Sequence, residues 1–133
     1  MKGKWLGLIA ICAAAFSVAG CSSGQQLLSI QVTPETVVFG GADPALFAQL
    51  TATGTYRHPP ATKDITNQVI WSSSIPQVAV VSSTGKVSPS TNCGVSNITA
   101  SVTTNSPTGN IVSGTMSVTV NGPASEGCPS APL

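Results

Sequence analysis

Beyond residue 27 the chain runs in short stretches that alternate apolar with small polar residues, each cut off by Gly or Pro. Alternation at a period of two sends successive side chains to opposite faces of a strand, and no stretch after the first twenty residues repeats at a helical period. Leu28, Ile30 and Val32 alternate with Ser29, Gln31 and Thr33, giving a half-buried first strand. Pro34 interrupts it as an edge strand would be interrupted, and Val37-Val38-Phe39 is expected to rejoin the opposite sheet. Leu46, Ala48, Leu50, Ala52 and Tyr56 share one parity, with Gln49, Thr51, Thr53 and Thr55 outward, until Arg57-His58-Pro59-Pro60 ends the run. Ile65, Val69 and Trp71 share the next inward face, and Ser72 to Pro76 crosses to Val78-Ala79-Val80-Val81. Ser88 to Gly94 forms a loop. Ile98, Ala100 and Val102 alternate with Asn97, Thr99 and Ser101, and Met116, Val118 and Val120 with Ser117 and Thr119; Thr104 to Gly114 joins the two as a long-looped hairpin. About seven short strands separated by turn signals predict one all-β, antiparallel sandwich over residues 28–121.

A chain of 133 residues holds one real core and not two. Only 7% of its residues are charged, against roughly 25% in an average soluble protein. Disorder does not follow, because 41% are hydrophobic and they fall in ordered alternation. Ser and Thr must supply the polar surface, a role that suits them on exposed strand faces. The formal charge of +1 includes Lys2 and Lys4, which would leave with a cleaved signal peptide; without a basic stripe, nucleic acid is excluded as a partner.

The first twenty residues are an address. Two lysines precede an apolar run from Trp5 to Phe16, which is shorter than the roughly twenty residues a membrane span needs. A charged start, a short apolar middle and a small-residue end make a signal peptide over 1–20. Val18-Ala19-Gly20-Cys21 resembles the lipobox of bacterial lipoproteins, which implies a diacylglycerol on the Cys21 thiol and cleavage before it. Residues 21–27 then form a lipidated, polar tether to a membrane, and acyl chains anchor at about 0.8 kcal/mol per buried CH₂. Ser22 after the cysteine points to the outer membrane by the same resemblance. The alternative is ordinary cleavage after Ser17-Val18-Ala19, which leaves a soluble secreted domain.

The stretch from Val69 to Val87, VIWSSSIPQVAVVSSTGKV, holds a strand ending on Trp71, a serine run, a proline, a second strand and a Thr84-Gly85 turn. It resembles the bacterial immunoglobulin-like domain, group 2. Further matching pieces are Leu50 to Tyr56, Asp64-Ile65-Thr66 and Gly94 to Ala100. The resemblance spans roughly Leu28 to Val120 and implies an immunoglobulin-like sandwich with Trp71 as a core anchor, since its rings bury more apolar area than any other side chain. It also implies an envelope binding, adhesion or structural module. The loop carrying Cys93 and the loop from Thr104 to Gly114 are longer than that pattern.

Cys12 leaves with the signal and Cys21 is the lipid site, so Cys93 and Cys128 remain. An even pair in an exported protein is a disulfide candidate. Cys93 precedes one hairpin strand and Cys128 follows its antiparallel partner, so the two should be neighbours, pinning the tail over 122–133. Closing a loop of about 36 residues would stabilise by roughly 3–4 kcal/mol in the chain-entropy picture. Two free thiols are the alternative reading.

Catalytic and metal chemistry find few residues. His58, the single histidine, sits between Arg57 and Pro59 with no orienting partner in sequence. There is no G-x-S-x-G, and Glu35, Asp43, Asp64 and Glu126 are scattered, which supports neither a carboxylate pair nor a calcium loop. No cofactor, no metal and no enzymatic activity are expected. The expected function is a non-catalytic envelope module meeting a protein or a cell-envelope polysaccharide, and an exposed aromatic cluster around Tyr56 would favour the polysaccharide.

Overall fold

The computed structural model describes residues 25–105, 107–123 and 128. The signal over 1–20, Cys21 and the tail over 129–133 lie outside the described residues. Within them the chain is all-β, with ten strands. These are β1 (Gln26–Thr33), β2 (Thr36–Phe39), β3 (Ala48–Gln49), β4 (Thr51–Arg57), β5 (Ala61–Asp64), β6 (Ile70–Ser73), β7 (Ala79–Val81), β8 (Lys86–Pro89), β9 (Gly94–Thr103) and β10 (Ile111–Val120).

One layer is the four-stranded sheet β2-β10-β9-β6. The other is made of β1-β4-β5 and β3-β8-β7, joined because β3 and β4 are one strand interrupted at Leu50. The inward side chains of the two layers form a single core, in which Leu50, Val87, Ile98, Val118 and Val120 are fully buried. Sandwiches close this way because each sheet has one apolar face to remove from water.

The count of about seven strands rises to ten chiefly because the run from Leu46 to Tyr56 is divided at Leu50 and an expected loop, Ala61–Asp64, pairs. Arg57 to Pro60 reverses the chain instead of ending a strand, so Ala61–Asp64 lies antiparallel to β4, with Tyr56 opposite Ala61 and Thr53 opposite Asp64. The short strand expected to begin at Val87 runs from Lys86 to Pro89, two residues into the loop expected from Ser88. The hairpin between β9 and β10 is tighter than expected, since β10 already begins at Ile111.

Two inward assignments change. A bulge between Leu27 and Ser29 shifts the register of β1, so Leu27 turns inward and Leu28 is exposed; β1 also starts at Gln26, inside the expected tether. An extra residue in a strand swaps faces on either side of it. Leu46 is exposed because Asp43 to Leu46 is a turn, closed by the Leu46 amide donating to the Asp43 carbonyl, and the strand proper begins at Ala48. One pair also departs from the antiparallel rule. The chain passes from β1 through Pro34 into β2 without reversing, changes sheet as Val37 to Phe39 were expected to do, and meets β10 in parallel.

The layers approach most closely where β1 crosses β10. A Cβ built on Gly114 would lie 2.3 Å from the Ile30 carbonyl oxygen, which no side chain tolerates. The ends of the sandwich are distinct. Gln26 pairs with Arg57, so the start of the described chain sits beside the β4–β5 turn. Val120 pairs with Gly94 at the far end, next to the disulfide. Gly114→Ala is expected to destabilise the fold by about 1–3 kcal/mol through overpacking, read from urea unfolding, while Ser113→Ala beside it stays within about 0.5 kcal/mol.

Candidate functional site

The motif residues converge on the break at Leu50. The Leu50 amide donates to the Gly85 carbonyl at 2.8 Å, and Gly85 holds a φ of 80°. A Cβ at Gly85 would meet the Leu50 oxygen at 2.8 Å, Thr66 Cγ2 at 3.0 Å and Trp71 Cζ2 at 3.1 Å, so glycine is required both for the backbone turn and for the space. Trp71 packs its half-buried ring over this point, and its Nε1 donates to the Thr66 carbonyl at 2.9 Å. Thr66 Oγ1 accepts from the Ala52 amide at 3.0 Å and donates to Asp64 Oδ1 at 2.6 Å, while the Thr66 amide donates to the same carboxylate oxygen at 2.9 Å. These two bonds hold the Asp64 carboxyl below its ordinary value of 3.8.

A second cluster is made of serines that alternation would place outward or in turns. Ser96 is buried, and its hydroxyl accepts from the Ile75 amide at 3.1 Å. It also pairs with Ser73 Oγ at 2.9 Å and Ser74 Oγ at 3.3 Å. Ser73 Oγ donates to the Ala79 carbonyl at 2.6 Å, and Ser74 Oγ accepts from the Asn97 amide at 2.9 Å. The cluster therefore ties the crossover after β6 to both β9 and β7. No titratable side chain shares these bonds, so none of these hydroxyls has a base to activate it as a nucleophile.

The remaining candidates are separated. His58 is exposed in the β4–β5 turn at a φ of 59°. Tyr56 is half-buried beside Leu27 and Ala61, with the Lys63 ammonium 5.2 Å from its ring centroid and Lys63 also donating to the Gln25 side chain. The aromatic cluster around Tyr56 that would favour a polysaccharide is not formed among the described residues: Tyr56 is a single ring with a cation over it. Among the described residues no group of three or more His, Cys, Asp or Glu side chains is placed to hold a metal ion. Cys93 and Cys128 form a disulfide with a Cα–Cα distance of 5.5 Å, and Gly122 packs beneath it, a Cβ there lying 2.8 Å from Cys128 Sγ.

Three surfaces were not singled out by the sequence reading. Phe47, just before β3, is 60% exposed, with the Lys86 ammonium 4.3 Å from its ring centroid. Its odd parity with Gln49 and Thr51 was the available signal. A shallow cleft of about 480 Å³ opens where β1 passes into β2, lined by apolar Ile30, Val32 and Met116 and by polar Gln31, Glu35, Thr36, Asn97, Thr115 and Ser117. Register across four strands assembles it, so no local pattern reveals it. The third is the outer face of the four-stranded sheet.

No protein-family model matches the chain, and no curated protein matches it either. The likeness to the bacterial immunoglobulin-like group rests on the quoted motifs.

Ser96→Ala removes a buried hydroxyl and leaves the Ile75 amide without its acceptor and the Ser73 and Ser74 hydroxyls each short of one partner, in a partly buried place. The expected loss is about 1–3 kcal/mol of stability, measured by chemical unfolding. Asp64 gives a pH signature. A folded pKa below 3.8 means its bonds to Thr66 stabilise the fold above that pH and cease to do so as pH falls through the lowered value. Asp64→Asn should therefore flatten the acid limb of a thermal-melting profile below pH 3.8.

Proposed function

We propose that the chain is a non-catalytic cell-envelope lipoprotein, in which one immunoglobulin-like sandwich works as a protein-binding, adhesion or structural module. The lipobox around Cys21 carries the anchor, and the motifs from Leu50 to Val87 carry the domain. The observation that best supports this reading is the polarity of the sandwich. Gln25 stands beside Arg57 and Lys63 at one end, while Cys93–Cys128 closes the other. A tether of a few residues from Cys21 would hold the first end at the bilayer, with cationic side chains near the headgroups, and present the stapled end outward. Loops and strand edges at that end are then the contact surface, as is usual for a rigid sandwich.

A glycan-binding role is the second reading, and exposed Phe47 is the observation in its favour, because an aromatic face stacks on the apolar face of a sugar ring.

Intact mass of the protein from its native membrane, with and without reduction, tests the main reading. The expected result is an acylated chain beginning at Cys21 that gains two hydrogens on reduction, together with loss of acylation in Cys21→Ser. An unacylated chain beginning near Gly20 would instead make it a soluble secreted domain.

A further inference from the structure

The two ends of the sandwich differ in more than the position of the disulfide. Gln26 pairs with Arg57, which places the start of β1 beside the β4–β5 turn. β2 runs parallel to β10, and β1 leads into it without reversing, so β10 starts at the same end. The approach of Gly114 to Ile30 fixes the level: three residues back along each strand, Ile111 stands level with Leu27. Ile70 pairs with Ser101, two positions in from the Thr103–Ile111 pair. One end therefore gathers the β4–β5 turn and the starts of β1, β10 and β6.

Arg57 and Lys63 are both exposed there, on the two arms of the β4–β5 hairpin. Ile70 and Ile111, at 67% and 69%, are the most exposed large apolar side chains among the described residues. The connection over residues 104–110 contains no charged residue. The described acids stand back from this end. Asp64 lies opposite Thr53, four positions before Arg57, with one carboxylate oxygen held by Thr66. Glu35 lies beyond β1 and Asp43 before β3. Cations beside exposed aliphatic side chains suit a phospholipid surface, which offers phosphate to the first and the upper acyl region to the second.

We propose that this end of the sandwich seats directly on a bilayer containing anionic phospholipid, as a second contact beside the anchor. The inference rests on acylation at Cys21. Only Ser22, Ser23 and Gly24 lie between Cys21 and Gln25, and four residue steps reach at most about 14 Å. The hairpin cations therefore act within about two Debye lengths of the headgroups. So short a tether makes the contact intramolecular, and two cations with two isoleucines suffice where an untethered domain would not stay bound. Each cation favours the seated state about fivefold. Seating also sets the stapled end apart from the membrane: β9 and β10, ten residues each, hold Cys93–Cys128 about 30 Å above it.

NMR of the acylated protein in nanodiscs, with labelled isoleucine methyls and a nitroxide on a lipid headgroup, reads the seating as line broadening. Ile75 is the internal reference, since its amide donates to Ser96, seven positions along β9 from Thr103. Discs of phosphatidylcholine alone are compared with discs holding about one-third phosphatidylglycerol, which should at least about triple the broadening of Ile70 and Ile111 relative to Ile75. The double variant Arg57→Gln with Lys63→Gln should return it to the neutral-lipid value, with an unchanged signal from buried Ile98 showing an intact fold. Ile111→Ser, at an exposed site, should lower the broadening at Ile70 as well. Broadening indifferent to lipid charge overturns the proposal, because a bare tether has no preference between headgroups. So does a double variant that keeps the full effect. Intact mass of the same sample separates the two readings. An acylated chain with indifferent broadening overturns the seating alone, while an unacylated chain overturns the anchor and the seating with it.

Discussion

The hydrogen bond from the Leu50 amide to the Gly85 carbonyl lies at the point on which both layers depend. A strand long enough to serve both β1-β4-β5 and β3-β8-β7 must change direction, and a break exposes backbone groups that need partners. Gly85 answers one of them from the turn before β8, and Thr66 answers another at Ala52. Trp71 then covers the site from the opposite sheet, with its own polar atom satisfied by the Thr66 carbonyl. Three separate stretches of sequence meet within a few ångströms there. An aromatic ring in this setting is less a filler of the core than a cap over a backbone junction.

The serine cluster solves the corresponding problem on the other side. The chain must leave β6 and cross to β7 within a few residues, and beyond Ser74, whose amide still donates to the Asn97 carbonyl, the crossover leaves the strand ladder. A buried Ser96 accepts from the Ile75 amide, and Ser73 beside it donates to the Ala79 carbonyl. Hydroxyls can donate and accept at once, so a small cluster satisfies several groups without adding charge to the interior. Gly114 and the disulfide act in the same sense, the first by letting two backbones approach, the second by holding the end of the chain against Gly122. Such a frame leaves its outward faces free to vary, and the uncharged Ser/Thr surface of the four-stranded sheet is the clearest use of that freedom.

Much of the fold was legible because a half-buried strand has a period its sequence must obey. The runs over Ile98 to Val102 and Met116 to Val120 kept their parity. Leu27 and Leu28 show where that reasoning fails, since both are leucine and only the bulge decides which turns inward. Leu46 failed for a related reason: its parity was right, but a turn takes the backbone out of the strand before the pattern applies. The pairing of Ala61–Asp64 was hidden by Pro59 and Pro60, which signal a stop equally well whether the chain leaves or folds back. Cys93 and Cys128 were brought together in reasoning by antiparallel order alone, and the structure has them bonded.

The sequence by itself determined that this chain is all-β, that its core is aliphatic, and that its surface is Ser and Thr rather than charge. Those are properties of alternation and composition, and each is local. Tertiary structure alone decided which serines are interior, where the glycines are irreplaceable, and that apolar residues from β2, β6, β9 and β10 share one uncharged face. These depend on register between strands distant in sequence, and a shift of one residue in any of them would send the same side chains to the opposite side.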